Sequence, residues 1–133
     1  MGSGITEPDA GSDVASVRTK AVKDGDDYVI NGNKMFIANG TVADYFVVLC
    51  VINPNHTSRH NRHSVILVER DREGFESNKL RHKLGIRASD RAELVFKDVR
   101  VPQENLIGEE DRGFYKFFCR FYNFFLDKIN LVE

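Results

Sequence analysis

A mainly β fold, an antiparallel barrel or sandwich followed by a C-terminal helix, is what the sequence predicts. Three observations carry that expectation. Short runs of β-branched and aromatic residues alternate with turn signals from residue 13 to about 108. Asp-Gly and Asn-Gly pairs at 24–25, 31–32 and 39–40 supply the positive φ angles that tight hairpins need. After residue 110 the pattern changes: six of the ten phenylalanines fall between 114 and 125, several at helical spacing.

The elements follow in order. Val17 to Val22 reads as a half-buried, edge-like strand running into Asp24-Gly25. Tyr28 to Ile30 is a short strand that stops at Asn31-Gly32, and Lys34 to Ala38 is a hairpin strand that stops at Asn39-Gly40, with Phe36 in the core. Tyr45 to Ile52 is continuously apolar, as a central strand is, and Ser64 to Val68 is another such run. Glu93 to Phe96 forms a shorter strand ahead of Val99-Arg100-Val101-Pro102. Pro102 fixes the chain beyond it, Gly108 marks a turn, and Glu109-Glu110 suits a helix N-terminus. The division expected is a β-domain over 1–112 and a Phe-rich helical tail over 113–133. A helix so aromatic leaves a wide apolar face, so it either folds onto the β-domain or expects partner helices.

Composition narrows the function classes. Lys+Arg is 19 against Asp+Glu 20, a balance that argues against a nucleic-acid binder. No apolar run of the roughly 18 residues that span a bilayer is present, so no membrane helix is expected. Met1 to Gly4 carries neither the basic nor the apolar part of a targeting signal and reads as a cut end. Cys50 and Cys119 fit no metal or redox spacing and are expected to be reduced and structural. His56, His60 and His63 cluster with Arg59 and Arg62, but no Cys or carboxylate stands among them. A solvated basic loop is the expectation there, with no metal site. Glu69 to Glu73 mixes signs and reads as a solvated turn.

Four motifs carry possible chemistry. Thr6-Glu7-Pro8-Asp9-Ala10-Gly11-Ser12-Asp13 is turn-rich; Gly11 admits close approach to the backbone, and Thr6 and Ser12 offer hydroxyls to a phosphate or a polar heterocycle edge. From the residues alone an ordinary loop fits as well. Asn31-Gly32-Asn33-Lys34-Met35-Phe36-Ile37-Ala38-Asn39-Gly40 is the second, Gly85-Ile86-Arg87-Ala88-Ser89 the third, and Val99-Arg100-Val101-Pro102 with Asn105-Leu106-Ile107-Gly108-Glu109-Glu110 the fourth.

In this order and spacing the four motifs resemble the middle β-domain of acyl-CoA dehydrogenases, over residues 4 to about 114. The resemblance implies a domain flanked by helical parts in a homo-oligomeric enzyme, with FAD between the β-domain and C-terminal helices. A carboxylate removes the α proton of an acyl-CoA thioester and the flavin accepts the β hydride. By position, Thr6 would bond the pyrimidine edge of the flavin, and Gly11 would lie along the cofactor. Ser12 would sit where FAD and the acyl-CoA substrate meet. Phe36, Ile37 and Ala38 would back the ring. No catalytic residue is assigned, and the compartment implied is the cytoplasm or mitochondrial matrix.

The resemblance is incomplete in places. Phe36 stands where the family commonly has Trp, and Ala38 where it commonly has a hydroxyl near flavin N5. Phe125 and Tyr122 stand where an Arg and an acid or amide are usual. The family's catalytic Glu has no counterpart in residues 1–133. A missing base costs roughly 10²–10⁴-fold in rate, so this chain alone is expected neither to hold FAD tightly nor to oxidise acyl-CoA. Two other functions compete with this one: a non-catalytic flavin- or partner-binding module that docks through its Phe-rich helix, and a flavin oxidase or monooxygenase on the same fold.

Overall fold

The computed structural model describes residues 1–115. Its strands are β1 (Gly2–Gly4), β2 (Lys20–Asp24), β3 (Asp27–Ala38), β4 (Tyr45–Val51), β5 (His63–Glu69), β6 (Phe75–Lys79) and β7 (Arg91–Pro102). Short 3-10 turns lie at Val14–Ser16 and Gln103–Asn105, and residues 113–115 are helical. The strands form one curled sheet in the order β1-β4-β2-β3-β7-β6, with β5 on the other edge of β4. Most pairs are antiparallel, but β1 and then β2 run parallel to β4, opposite Phe46–Val48 and Val51 respectively. The mainly β expectation holds. The helical tail falls outside the described residues beyond Tyr115.

β4 shows why its sequence is continuously apolar. Phe46, Val48 and Cys50 face the main core, with Tyr28, Ile30, Ile66, Leu94, Phe96 and Val99 among their neighbours. Val47, Leu49 and Val51 face a second cluster, covered by Ile5, Ala10, Val14 and Val17. Both faces of β4 are therefore dry, and alternation disappears. Residues 5–19 are the cover. Val17 belongs to this cover rather than to a strand, so β2 starts at Lys20, later than expected.

Gly2–Gly4 forms strand β1. A Cβ on Gly2 would lie 2.7 Å from Phe46 Cδ1, so only glycine lets this strand lie against β4. Asn31-Gly32 is not a hairpin, and β3 runs straight through it. Asn31 exchanges two hydrogen bonds with Asp98 of β7, both 2.9 Å, and Gly32 packs so close to Thr19 that a Cβ would lie 2.6 Å from its Oγ1. The true turns are Gly25-Asp26, with Gly25 at φ 61, and the one that begins at Asn39, with φ 58.

β3 and β7 each carry one β-bulge. On β7, Lys97 and Asp98 intervene between Phe96, opposite Gly32, and Val99, opposite Ile30. On β3, Met35 and Phe36 intervene between Lys34, opposite Leu94, and Ile37, opposite Ala92. Each bulge reverses which alternate residues point inward. Val99 and Val101 are buried on one side of the β7 bulge, and Ala92, Leu94 and Phe96 on the other. The same device merges two expected strands into one. β6 was not expected; its sequence, Phe-Glu-Ser-Asn-Lys, is half-exposed and lacks the apolar alternation that marks a strand.

Candidate functional site

The bulge in β3 builds the site. Phe36 has φ 61, a left-handed conformation that a bulky residue rarely adopts, and its ring is turned outward with 63% exposure. The expectation of Phe36 in the core is therefore corrected: the bulge re-aims it to the surface. Met35 N–H, freed from the ladder, donates to the Thr6 carbonyl at 2.8 Å. Thr6 is thereby fixed beside Phe36, so two of the predicted residues, thirty positions apart, are brought together.

Ile37 returns to the core and is buried, so its side chain faces away from the surface that Phe36 occupies. Ala38 ends β3 opposite Arg91, half-buried. Gly11 and Ser12 are exposed in the covering segment. A Cβ on Gly11 would meet nothing within 4 Å, so the fold itself does not demand glycine there. The Thr6 and Ser12 hydroxyls make no hydrogen bond among the described residues. An uncovered aromatic ring, and hydroxyls at Thr6 and Ser12 that the described residues leave unbonded, are chemically suited to a planar, polar-edged group.

What the sequence reading missed lies beneath. Lys34 is fully buried, and its Nζ donates to Glu7 Oε1 at 2.9 Å and to the Ile5 carbonyl at 3.1 Å. Glu7 also accepts from Arg18 N–H at 2.7 Å, Thr19 N–H at 2.9 Å and Thr19 Oγ1 at 2.6 Å. Burial alone would raise the Glu7 carboxyl, but the Lys34 charge and the bonds from Thr19 and Lys34 outweigh it and hold it below its ordinary value. Burial lowers Lys34, with Cys50 and Glu7 acting the other way. This pair pins residues 5–7 onto β3 directly behind the bulge. One signal in the sequence pointed to it: Lys34 shares the inward parity of Tyr28 and Ile30, and a lysine there needs a buried partner.

The basic loop is not simply solvated. His63 is fully buried at the start of β5, without a hydrogen-bond partner for either ring nitrogen, and burial followed by the Arg62 charge lowers it to about 4. Arg62 donates to the Ala15 carbonyl at 2.8 Å, and Arg59 pairs with Asp13 at 3.1 Å, tying this loop to the residues just after Ser12. Glu69 to Glu73 is likewise engaged. Arg70 donates to the Ala43 and Gly40 carbonyls at 2.6 and 2.7 Å, and Arg72 forks onto both Glu69 oxygens at 2.8 and 2.9 Å. Those bonds lower Glu69 to about 2. Cys50 is buried and free, its thiol pushed up to about 12 by burial; Cys119 lies outside the described residues.

With this geometry in place, comparison with known proteins defines the class. Residues 2–99 match the family model described as acyl-CoA dehydrogenase, middle domain. The chain belongs to the acyl-CoA dehydrogenase family, of which it represents that β-domain. It is 48% identical over 111 residues to the mitochondrial long-chain specific acyl-CoA dehydrogenase of Sus scrofa, a match over 84% of this chain and 26% of that protein. A solved acyl-CoA dehydrogenase from Geobacillus kaustophilus superposes with a TM-score of 0.85 at 49% identity, over 88% of this chain and 31% of that one. A glutaryl-CoA dehydrogenase from Mycobacterium smegmatis, solved in complex with FADH2, gives a TM-score of 0.74 at 38% identity, over 82% and 27%. The chain thus spans about a third or less of the relatives it matches.

Proposed function

We propose that this chain is the flavin- and thioester-facing β-domain of an acyl-CoA dehydrogenase and does not complete the reaction by itself. The observation that carries this is the β3 bulge, which holds the Phe36 ring outward beside Thr6 in a chain whose family membership is established. FAD, when bound, supplies hydride acceptance from the acyl-CoA β carbon. Phe36 would pack against the flavin ring, and Thr6 Oγ1 would bond its polar edge. Gly11 leaves the backbone approachable, and Ser12 offers its hydroxyl where cofactor and substrate meet. Main-chain groups of Ile37 and Ala38 would lie along the ring, since Ile37's side chain is in the core. None of these residues removes an α proton, and that step belongs to a carboxylate outside this set.

In this reading residues 1–112 are the β-domain and 113–133 begin a helical part. Further helices and a second subunit complete the cofactor site, in the cytoplasm or mitochondrial matrix. Titrating FAD with the purified chain, followed by flavin fluorescence, tests it. The expected result is weak saturable quenching that disappears in Phe36→Asp while Tm is unchanged, with no dye reduction on adding an acyl-CoA. Quenching that survives Phe36→Asp, or turnover by the chain alone, would overturn it.

A further inference from the structure

Lys34 and Glu7 stand where apolar side chains would serve stability as well. Their side chains are 0% and 7% exposed, and replacing a buried ion pair by packed apolar residues is often neutral or stabilising. What apolar residues lack is direction. An ammonium and a carboxylate hold several partners at set distances at once. The role of this pair lies in what those bonds keep in place.

The bonds converge on one short segment. The Lys34 stem passes Gly4 of β1, where a Cβ would lie 3.4 Å from its Cγ. Its Nζ then reaches the Ile5 carbonyl at 3.1 Å and Glu7 Oε1 at 2.9 Å. Thr6 lies between these two, and its own carbonyl accepts from Met35 N–H at 2.8 Å. Three successive residues, 5 to 7, are thus held by two successive ones, Lys34 and Met35. The next residue along β3 is Phe36, whose ring the bulge turns outward. Glu7 anchors the segment from the other side. Its carboxylate accepts from Arg18 and Thr19, and its main chain exchanges bonds with Ala10 at 2.9 and 3.2 Å. Ala10 is buried, so this turn ends on the core just ahead of Gly11 and Ser12.

We infer that Lys34 and Glu7 are positioning residues for flavin binding: they set the offset of the Thr6 hydroxyl from the Phe36 ring, so that one planar ligand meets both together. This rests on the flavin reading above and adds to it the residues that give the site its geometry. Neither residue touches the flavin. A hydrogen bond needs its partners at about 2.7–3.2 Å, whereas contact with an aromatic face tolerates sliding. A loosened clamp therefore loses the Thr6 bond and keeps the ring contact.

A cycle of substitutions in the purified chain, with FAD binding followed by fluorescence quenching, tests this. Thr6→Val deletes the hydroxyl at nearly constant size and should weaken binding by about 2- to 10-fold, the worth of one net hydrogen bond. Lys34→Met combined with Glu7→Gln should weaken it by a similar factor. All three changes together should cost no more than either step, because the hydroxyl is already out of place. A role confined to stability would leave the Thr6→Val penalty intact, and the two losses would multiply; that result would overturn the inference. So would affinity that is unchanged in Thr6→Val, or in Lys34→Met with Glu7→Gln. Quenching still lost in Phe36→Asp would then leave the flavin reading standing, whereas an unsubstituted chain that never quenches FAD would bring down both. Cooperative thermal unfolding of each variant above the titration temperature checks its fold. Should the doubly substituted chain lack it, Glu7→Gln alone takes its place in the cycle with the same expected outcomes, since glutamine keeps an acceptor oxygen for Thr19.

Discussion

Replacing Lys34 by Met keeps most of the aliphatic stem and deletes the ammonium, leaving Glu7 buried at 7% exposure without its counter-charge. Removing one partner of a buried pair costs about 3–5 kcal/mol. Three protein donors still reach the carboxylate, from Arg18 N–H, Thr19 N–H and Thr19 Oγ1. That places the loss near the lower end, about 3 kcal/mol, or a fall in Tm of roughly 10–15 °C for a domain of this size. The pH dependence carries the sharper signature. In the wild type the Glu7 carboxyl is held below its unfolded value, so its contribution is present above about pH 4.5 and is lost as pH falls through the folded value. In Lys34→Met burial wins and the carboxyl moves above its unfolded value. The folded variant then binds the extra proton, and its deficit relative to wild type shrinks on acidification. Urea unfolding of both proteins at pH 7 and pH 5 measures this. Glu7→Gln combined with Lys34→Met should be less destabilised than the sum of the two single changes, since no charge is left stranded. A deficit below about 1 kcal/mol, or one that does not change between the two pH values, would refute the idea that a buried charge pair holds the covering segment.

Other expectations are equally open to measurement. His63 sits well below its ordinary range, so the unfolded chain binds the extra proton between about pH 6.5 and 4, and stability should fall by about 2–3 kcal/mol as pH drops through that window; His63→Leu should flatten this part of the curve in urea titrations. Gly32→Ala places a methyl 2.6 Å from Thr19 Oγ1, the hydroxyl that also donates to Glu7, and should cost about 2–4 kcal/mol by denaturant midpoint. Tyr28→Phe removes a buried hydroxyl that donates to Glu110 at 2.7 Å; with Lys23 still paired to Glu110, the loss should be about 1–2 kcal/mol. In an enzyme complete in its helical parts, Ala38→Thr should shift the flavin potential in a dye-equilibrium titration. Unchanged potential and turnover would sink that expectation.

What the sequence made legible follows from how local each cause is. β4 and β5 stood out because both faces of their apolar runs are covered, and the Asn39-Gly40 turn because its first residue needs a positive φ. Asn31-Gly32 has the same dipeptide and the opposite outcome, since Asp98 and Thr19, far along the chain, decide it. β6 was hidden by its polar composition, and Lys34 by the habit of reading a strand lysine as exposed. Motif order nominated Thr6 and Phe36 as candidates. Their joint presentation was not legible, because it depends on a bulge and on an ion pair whose partners stand 27 residues apart.

The two bulges in β3 and β7 have a further consequence, for how this domain tolerates insertions and deletions. Between them the partner positions are displaced by a single residue, and beyond both ends the original frame returns. Each extra residue is thus a local insertion that the other strand's extra residue cancels. A lineage losing Asp98 alone would have to re-frame the Asp27–Ile30 pairing or create a new irregularity, and one losing Phe36 alone would do the same at Ile37–Ala38. Loss of both would restore an unbroken ladder with the ends still aligned, at the cost of the outward aromatic. The irregular ladder is therefore a pair of compensating length changes, and the outward ring rides on the one in β3.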